Sequence, residues 1–337
     1  MIAQLLTRDE LQRARALVER SGLSFEERYD NLLGLFEGGA LVAVGARDGN
    51  VLKMLAIEAS HQGGGLLGEL VTELIRLGYA AGFDAFFVYT RPGSAPSFEA
   101  LNFRRLVNHP QLTLLEYGRG LERYLEAQRP LVREGDNGAV VVNCNPFTFG
   151  HRFLIETAAA QVATLYVFVV REDRSAFPFA ARMRLVAEGV ADLSNVVVLE
   201  SSRYAISSLT FPAYFLKKSD PVAQIQMETD LLLFGRHIAP FFGIRRRFIG
   251  SEPTCRTTRT YGETMKRILP ACGVETVQIE RRQVGDEAVS AFRVRQALRR
   301  EAYESLRTLV PESTLAFILS EEGRAIREKL LNSHGRH

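Results

Sequence analysis

Lysine is scarce in this chain of 337 residues: it stands at positions 53, 217, 218, 266 and 329 only, and arginine supplies the rest of the 42 basic residues. With 39 acidic residues the net charge is +3. That balance is too small to call for nucleic acid, and neither a block of like charges nor an aromatic-basic interleave is present. Cysteine is scarcer still. Cys144, Cys255 and Cys272 are odd in number and far apart, which excludes a disulfide framework and fits a reducing, cytoplasmic compartment. Long apolar runs are missing too. The longest such region, 153–170, is broken by Glu156 and Gln161 and does not read as a membrane span. The amino terminus turns at once into a charged helical pattern, with Thr7 as its N-cap, so no signal peptide is expected. No G-x-S-x-G and no G-x-x-x-x-G-K-[ST] occurs, which leaves out the nucleophile elbow and the P-loop. His61 and His109 have no metal-ligand spacing, so no metal site is expected, and His334 and His337 lie in a tail.

What is present is 46% hydrophobic and 24% charged, the composition of a globular protein with a sizeable core. The pattern changes near residue 130, so two domains are expected, 1–128 and 129–337. The first has short strands with glycine turns. Asp48-Gly49 between alternating runs signals a hairpin. "HQGGGLLGEL" (61–70) opens an amphipathic helix to about Ala81, and strands follow at "DAFFVYT", "FRRLV" and "LTLLEYG". That is antiparallel sheet with helices laid on it. "QGGGLL" after a strand and "SFEALNFRRL" (97–106) resemble the GNAT acetyltransferase-like fold, in which the amides of a glycine-rich helix start hold a CoA pyrophosphate. Leu67 and Asn102 depart from that pattern. The resemblance therefore implies an accessory domain that binds a partner or a CoA-like arm, rather than an active acetyltransferase.

After a linker at 126–138, strand and helix alternate. Strands are expected at 139–144, 164–170, 195–200, 246–250 and 274–280, with helices at 151–162, 179–191, 222–240 and 258–269. Continuous apolar strands with crossover helices predict an α/β fold, a Rossmann-like parallel sheet covered on both faces. Ligands of such sheets bind at the carboxyl ends of the strands. The stretch "NPFTFGH" (145–151) falls at one such end. A helix beginning at Gly150-His151 would present free amides and a positive dipole end. Thr148 would cap it, Gly150 would let a phosphate near the backbone, and His151 would add a donor. Read alone, His151 is more readily a polar residue of a first helical turn. Ser290, before "AFRVRQALRR", is likewise an ordinary N-cap when read alone.

Thr148-Phe149-Gly150-His151 resembles the first signature of the (H/T)-x-G-H nucleotidyltransferase superfamily. "VSAFRVRQAL" (289–298) is similar to its second, with Ser290 and Arg295 matching and Phe292 where a hydroxyl residue is common. Two helix starts would then face one triphosphate. Longer runs narrow the resemblance: "NCNPFTFGHRFLIE", "VVREDRSAFPFAARMRLV" (169–186), "SSRYAISSLTFPAYFLK" (201–217) and "FIGSEPTCRTTRTYGETM" (248–265) look like the citrate lyase ligase family, whose arrangement also includes a GNAT-like front.

The resemblance implies ATP with Mg²⁺, acetate, and the acyl carrier subunit of citrate lyase as partners, with no nucleic acid and no membrane. It implies acetyl-adenylate and then transfer to the carrier's CoA-like thiol. Catalytic roles would fall to His151, Arg295, Ser290 and Lys217, the last also readable as a plain surface lysine. Asn145, Pro146, Phe147, Thr148, Gly150, His151, Arg182, Gly250, Ser251, Glu252, Ser290 and Arg295 would hold the nucleotide. Glu172, Asp173 and Arg174 line the cleft or lie in a solvated loop. Tyr204 and Phe211 read as core, and Cys144 as a buried strand-end residue. An adenylyltransferase acting on a phosphopantetheine-like precursor shares both signatures, and a non-catalytic nucleotide-binding regulator remains open beside it.

Overall fold

The computed structural model describes residues 1–171, 175–201, 204–205, 214–216, 221–252, 256–284 and 287–332. They divide into two compact units. Residues 1–126 form the first together with the described part of 206–229, and residues 127–205 and 230–332 form the second.

The first unit is a mixed sheet in the order β1-β2-β3-β4-β5-β7-β6. Its strands are β1 (Ile2–Gln4), β2 (Asn31–Glu37), β3 (Ala40–Asp48), β4 (Val51–Ile57), β5 (Phe86–Thr90), β6 (Phe103–His109) and β7 (Leu112–Tyr117). Helices α1 (Arg8–Arg20), α2 (Leu66–Ala80), α3 (Ala95–Glu99) and α4 (Gly120–Gln128) accompany it. Thr7 closes a full capping box with Glu10 at the start of α1, satisfying two amides that a helix start leaves unpaired. The Asp48-Gly49 turn joins β3 to β4 as a hairpin, with Asp48 opposite Val51. All neighbours pair antiparallel except β4 and β5, which run parallel over two residue pairs only, Val51 with Phe87 and Leu52 with Val88. Met54, just beyond them in β4, has φ +55°.

The described residues of 206–229, expected in the carboxyl-terminal half, group with this first unit, and hydrogen bonds give the reason. The Tyr214 hydroxyl donates to the Tyr89 carbonyl at 2.7 Å. The Ser24 amide donates to the Tyr214 carbonyl at 2.7 Å. Arg91 Nε donates to the Phe215 carbonyl at 3.1 Å. His109 Nε2 meets the Glu228 carboxylate at 2.7 Å, while its Nδ1 accepts the Gln111 amide.

The second unit carries a parallel sheet, β10-β9-β8-β11-β12, built from β8 (Asn137–Val142), β9 (Thr164–Val169), β10 (Val196–Glu200), β11 (Ile244–Gly250) and β12 (Glu275–Ile279). In chain order this is 3-2-1-4-5, the doubly wound arrangement with its switch point between β8 and β11. The α/β fold with a Rossmann-like parallel sheet is thus the one the sequence predicts, while the sheet before it, expected to be antiparallel, is mixed because β4 and β5 pair parallel. In chain order the helices are α5 (Phe149–Ala159), α6 (Phe179–Gly189), α7 (Val222–Leu233), of which residues 222–229 group with the first unit, α8 (Ala239–Phe241), α9 (Arg256–Ile268), α10 (Ala291–Arg299), α11 (Glu312–Leu319) and α12 (Glu321–Leu331). Between α7 and α8 the chain widens to a π-type turn at Phe234–Ile238, so the helix expected over 222–240 is not uniform. A small hairpin, β13 (Gln283–Val284) and β14 (Glu287–Ala288), precedes α10. The core joins Val140, Val142, Val167 and Val169 of the strands to Ile155, Leu185, Val294, Leu298 and Leu315 of the helices.

Candidate functional site

The strand expected over 139–144 ends at Val142, and the chain leaves it through Cys144 at φ +51°. That left-handed residue turns the backbone off the sheet and starts the path into α5. Asn145 is buried and ties three segments together. Its carbonyl accepts Arg295 Nη1 at 2.6 Å, its Oδ1 accepts the Phe177 amide at 3.0 Å, and the chain runs on from it through a cis bond to Pro146. Phe147 is wholly buried and packs where Gly189 of α6 has no side chain, since a Cβ there would sit 2.2 Å from the ring. The Phe147 ring also stacks beside the His151 imidazole, with centroids 6.0 Å apart.

Thr148 is the N-cap of α5 and shares a capping box with His151. Its Oγ1 accepts the His151 amide at 3.3 Å. His151 Nδ1 in turn accepts the Thr148 amide at 3.1 Å and lies 2.9 Å from the Thr148 hydroxyl. An Nδ1 that accepts an N–H bears no proton, so this pattern assigns the neutral ring's hydrogen to Nε2. Withdrawal of the half-buried ring from water pushes its pKa down to about 4, and the positive charges of Arg281 and Arg295 act the same way. His151 is therefore a neutral imidazole presenting one N–H.

The second signature is folded against the first. Ser290 caps α10 by accepting the Arg293 amide. A Cβ added at Gly150 would stand 2.6 Å from the Val289 carbonyl oxygen. The absent side chain is thus what lets the start of α5 lie against the residue before Ser290. Arg295 is 7% exposed and its bond to Asn145 makes the second tie. Burial, with Arg299 nearby, lowers its pKa, but a guanidinium stays charged. Two helix starts, one neutral N–H and a fixed cation thus meet at the carboxyl end of β8.

The adjoining strands complete the rim. Gly250 ends β11, opposite Ile279 of β12. The Ser251 hydroxyl donates to Glu280 at 2.8 Å and accepts the Arg281 amide at 3.2 Å. The Glu252 carboxylate pairs with the Arg281 guanidinium. Ser251 and Glu252 thus stand together beside the switch point. Arg281 escapes a motif search; its signal is only the position of "RR" directly after a strand.

Arg182, expected among the nucleotide contacts, is 0% exposed. Its Nε donates to the Phe177 carbonyl, and its Nη1 to Val170 O, Asn143 O and Asn143 Oδ1. It fastens the ends of β8 and β9 to the loop before α6, which makes it a support of the site rather than part of its surface. Phe147 and Thr148 are supports in the same sense, since both are buried. Lys217, Glu172, Asp173, Arg174 and Phe211 lie outside the described residues. Tyr204 and Cys144 are buried, and burial pushes the Cys144 thiol pKa up, so it offers no thiolate. Among the described residues no helix is long and apolar enough to cross a membrane.

Comparison with known proteins bears on the same residues. A family model described as the citrate lyase ligase C-terminal domain matches residues 137–318. The [citrate [pro-3S]-lyase] ligase of Klebsiella pneumoniae is 39% identical over 292 residues, covering 83% of this chain and 84% of that one. The enzyme of the same name from Escherichia coli (strain K12) is 35% identical over 325 residues, 93% and 92% of the two chains. Among solved structures, Thermotoga maritima TmcAL bound with alpha-thio ATP aligns with TM-score 0.37 at 15% identity over 56% of each chain. The ribosomal-protein-S18-alanine N-acetyltransferase of Escherichia coli aligns with TM-score 0.30 at 17% identity, over 34% of this chain and 91% of that one. The strand order, not these scores, carries the fold.

Proposed function

The chain belongs to the citrate lyase ligase family, and from that premise we propose that it acetylates the thiol of a CoA-like prosthetic group on the acyl carrier subunit of citrate lyase. ATP would be cleaved to AMP and pyrophosphate through acetyl-adenylate. The observation that carries this reading is the meeting of α5 and α10 around a neutral His151. Helix starts suit polyanions through their positive dipole ends, although here the Phe149 amide is taken by the Leu309 carbonyl, the His151 amide by Thr148 and the Arg293 amide by Ser290. The switch point of a doubly wound sheet is where a nucleotide fits.

In the first step an acetate oxygen attacks the α-phosphorus, the bond to the β-phosphate breaks, and pyrophosphate leaves with the electron pair. Positioning and charge neutralisation carry such a step, with no protein nucleophile. His151 Nε2–H would donate to the oxygens between the α- and β-phosphates, where charge grows. Ser290 and Arg295 would face the β- and γ-phosphates. Gly250, Ser251 and Glu252 would lie toward the nucleoside. In the second step the carrier thiol attacks the acetyl carbon, the carbon–oxygen bond to the phosphate breaks, AMP leaves, and the thiol proton passes to solvent. Among the described residues no three His, Cys, Asp or Glu side chains gather as a metal cage. Mg²⁺ carried on substrate phosphates needs no such cage; it would neutralise phosphate charge.

The test is isotope exchange between pyrophosphate and ATP, with and without acetate. Exchange that requires acetate is the expected result. A protein that binds ATP yet shows no acetate-dependent exchange would turn the reading toward adenylyl transfer onto a phosphate-bearing acceptor.

A further inference from the structure

Arg281 follows β12 and runs along Gly250, the last residue of β11, and the two residues after it, Ser251 and Glu252. Its amide donates to Ser251 Oγ. Its guanidinium pairs with the Glu252 carboxylate, whose side chain is 7% exposed against 26% for Arg281. A Cβ at Gly250 would lie 3.9 Å from Arg281 Cγ. One nitrogen of a planar fork, Nη2, is thus held by a nearly buried acid while the side chain keeps some exposure. A clamped fork loses little freedom when it meets an oxyanion. The next residue turns the same stretch toward α5: Arg282 O accepts the Val289 amide at 3.0 Å, and the Arg282 guanidinium lies 5.2 Å from the Phe149 ring centre. Arg281 is also close enough for its charge to act on His151, ahead of Arg295.

These positions have an order. Beyond the end of β11 comes Arg281, bonded to Ser251 and Glu252; next comes Arg282, bonded to Val289; and Val289 lies against Gly150 at the starts of α10 and α5. If the nucleoside sits toward Gly250–Glu252 and the pyrophosphate toward α10, the α-phosphate lies between them, against Arg281. That is also where a second anion must approach, because acetate and phosphate repel each other without a cation. We propose that Arg281 contacts the α-phosphate and that Glu252 positions it for that contact. The inference rests on the nucleotide reading above, and it names the residue that tells a phosphorylated nucleoside from a bare one.

The experiment titrates full-length wild type, Arg281→Gln, Arg281→Lys and Glu252→Gln with adenosine, AMP and ATP·Mg²⁺. Pyrophosphate exchange and thermal unfolding are followed alongside. Losing a charge-assisted fork should weaken AMP and ATP about tenfold or more while adenosine binding holds. Lysine, a point charge without the fork, should restore little. Glu252→Gln should repeat the pattern in milder form. A folded Arg281→Gln protein with unchanged AMP affinity overturns the proposal. So does one that loses adenosine and AMP equally, because that is what a merely structural arginine would do. Loss of adenosine binding alone in Glu252→Gln would put Glu252 on the nucleoside and remove its positioning role. If wild type lacks acetate-dependent exchange but its preference for AMP over adenosine depends on Arg281, the ligase chemistry falls and the Arg281 contact stands. Wild type that binds no AMP overturns both.

Discussion

The Nδ1 atom of His151 is turned back into its own helix start, where the Thr148 amide and hydroxyl meet it. The ring's remaining capacity is one N–H on Nε2, and burial keeps it neutral with a pKa near 4. A protonated imidazole would have to give up its bond from the Thr148 amide, so protonation and the capping box oppose each other. The sign follows. The folded pKa lies below the unfolded value, so the unfolded chain binds the extra proton more readily. This group's contribution to stability is complete above about pH 6.5 and declines as the pH falls toward 4. Nitrogen-detected NMR of the histidine side chains should find His151 as the Nε2–H form from pH 8 down to about 5. A titration midpoint near 6.5 would contradict the geometry. His151→Ala should keep its fold and lose about 10²- to 10³-fold in acetate-dependent exchange, the usual effect of deleting one donor to developing charge.

At the scale of elements, the site exists because α5 and α10 begin side by side, and that adjacency depends on one missing methyl group. A Cβ at Gly150 would press on the Val289 carbonyl, a backbone atom that cannot swing aside. Gly150→Ala should therefore cost about 1–3 kcal/mol of stability, as overpacking does. It should also reduce exchange more than the stability loss explains, because the two helix starts part; chemical unfolding and exchange rates on the same preparation check both. The parallel sheet was legible from its apolar strands and crossover helices, and both helix starts from their capping residues, because these signals are local. Burial of polar side chains was not legible. Arg182 stands where a nucleotide contact was expected, yet its guanidinium is taken up by backbone carbonyls of Phe177, Val170 and Asn143. Nothing along the chain reveals that those carbonyls converge. Arg281 was missed for the opposite reason. Its meaning lies in strands β11 and β12 pairing, which brings Gly250 opposite Ile279.

On the scale of the whole molecule, a linker near residue 130 suggests two consecutive halves, but the first unit also claims residues from 206–229. That segment is sewn in by its carbonyls, by the Tyr214 hydroxyl and by Glu228. Tyr214, Phe215 and Leu216 are all buried, and Tyr214 and Phe215 bond to backbone and side-chain groups of the first unit some eighty residues or more before them. No local signal marks such a claim, since closing a long loop adds little entropy per extra residue. The arrangement has a consequence that separates it from a plan of two contiguous halves. Tyr214→Ala in the full chain should destabilise the first unit by about 3 kcal/mol, the loss typical of deleting a large buried ring. Amide hydrogen exchange should quicken at Ser24, whose N–H is held by the Tyr214 carbonyl. The strands β8 and β9 should keep their protection, because their ladder lies within the second unit. If residues 1–126 exchanged as in wild type, position 214 would be energetically separate from them. The first unit would then stand as a contiguous domain.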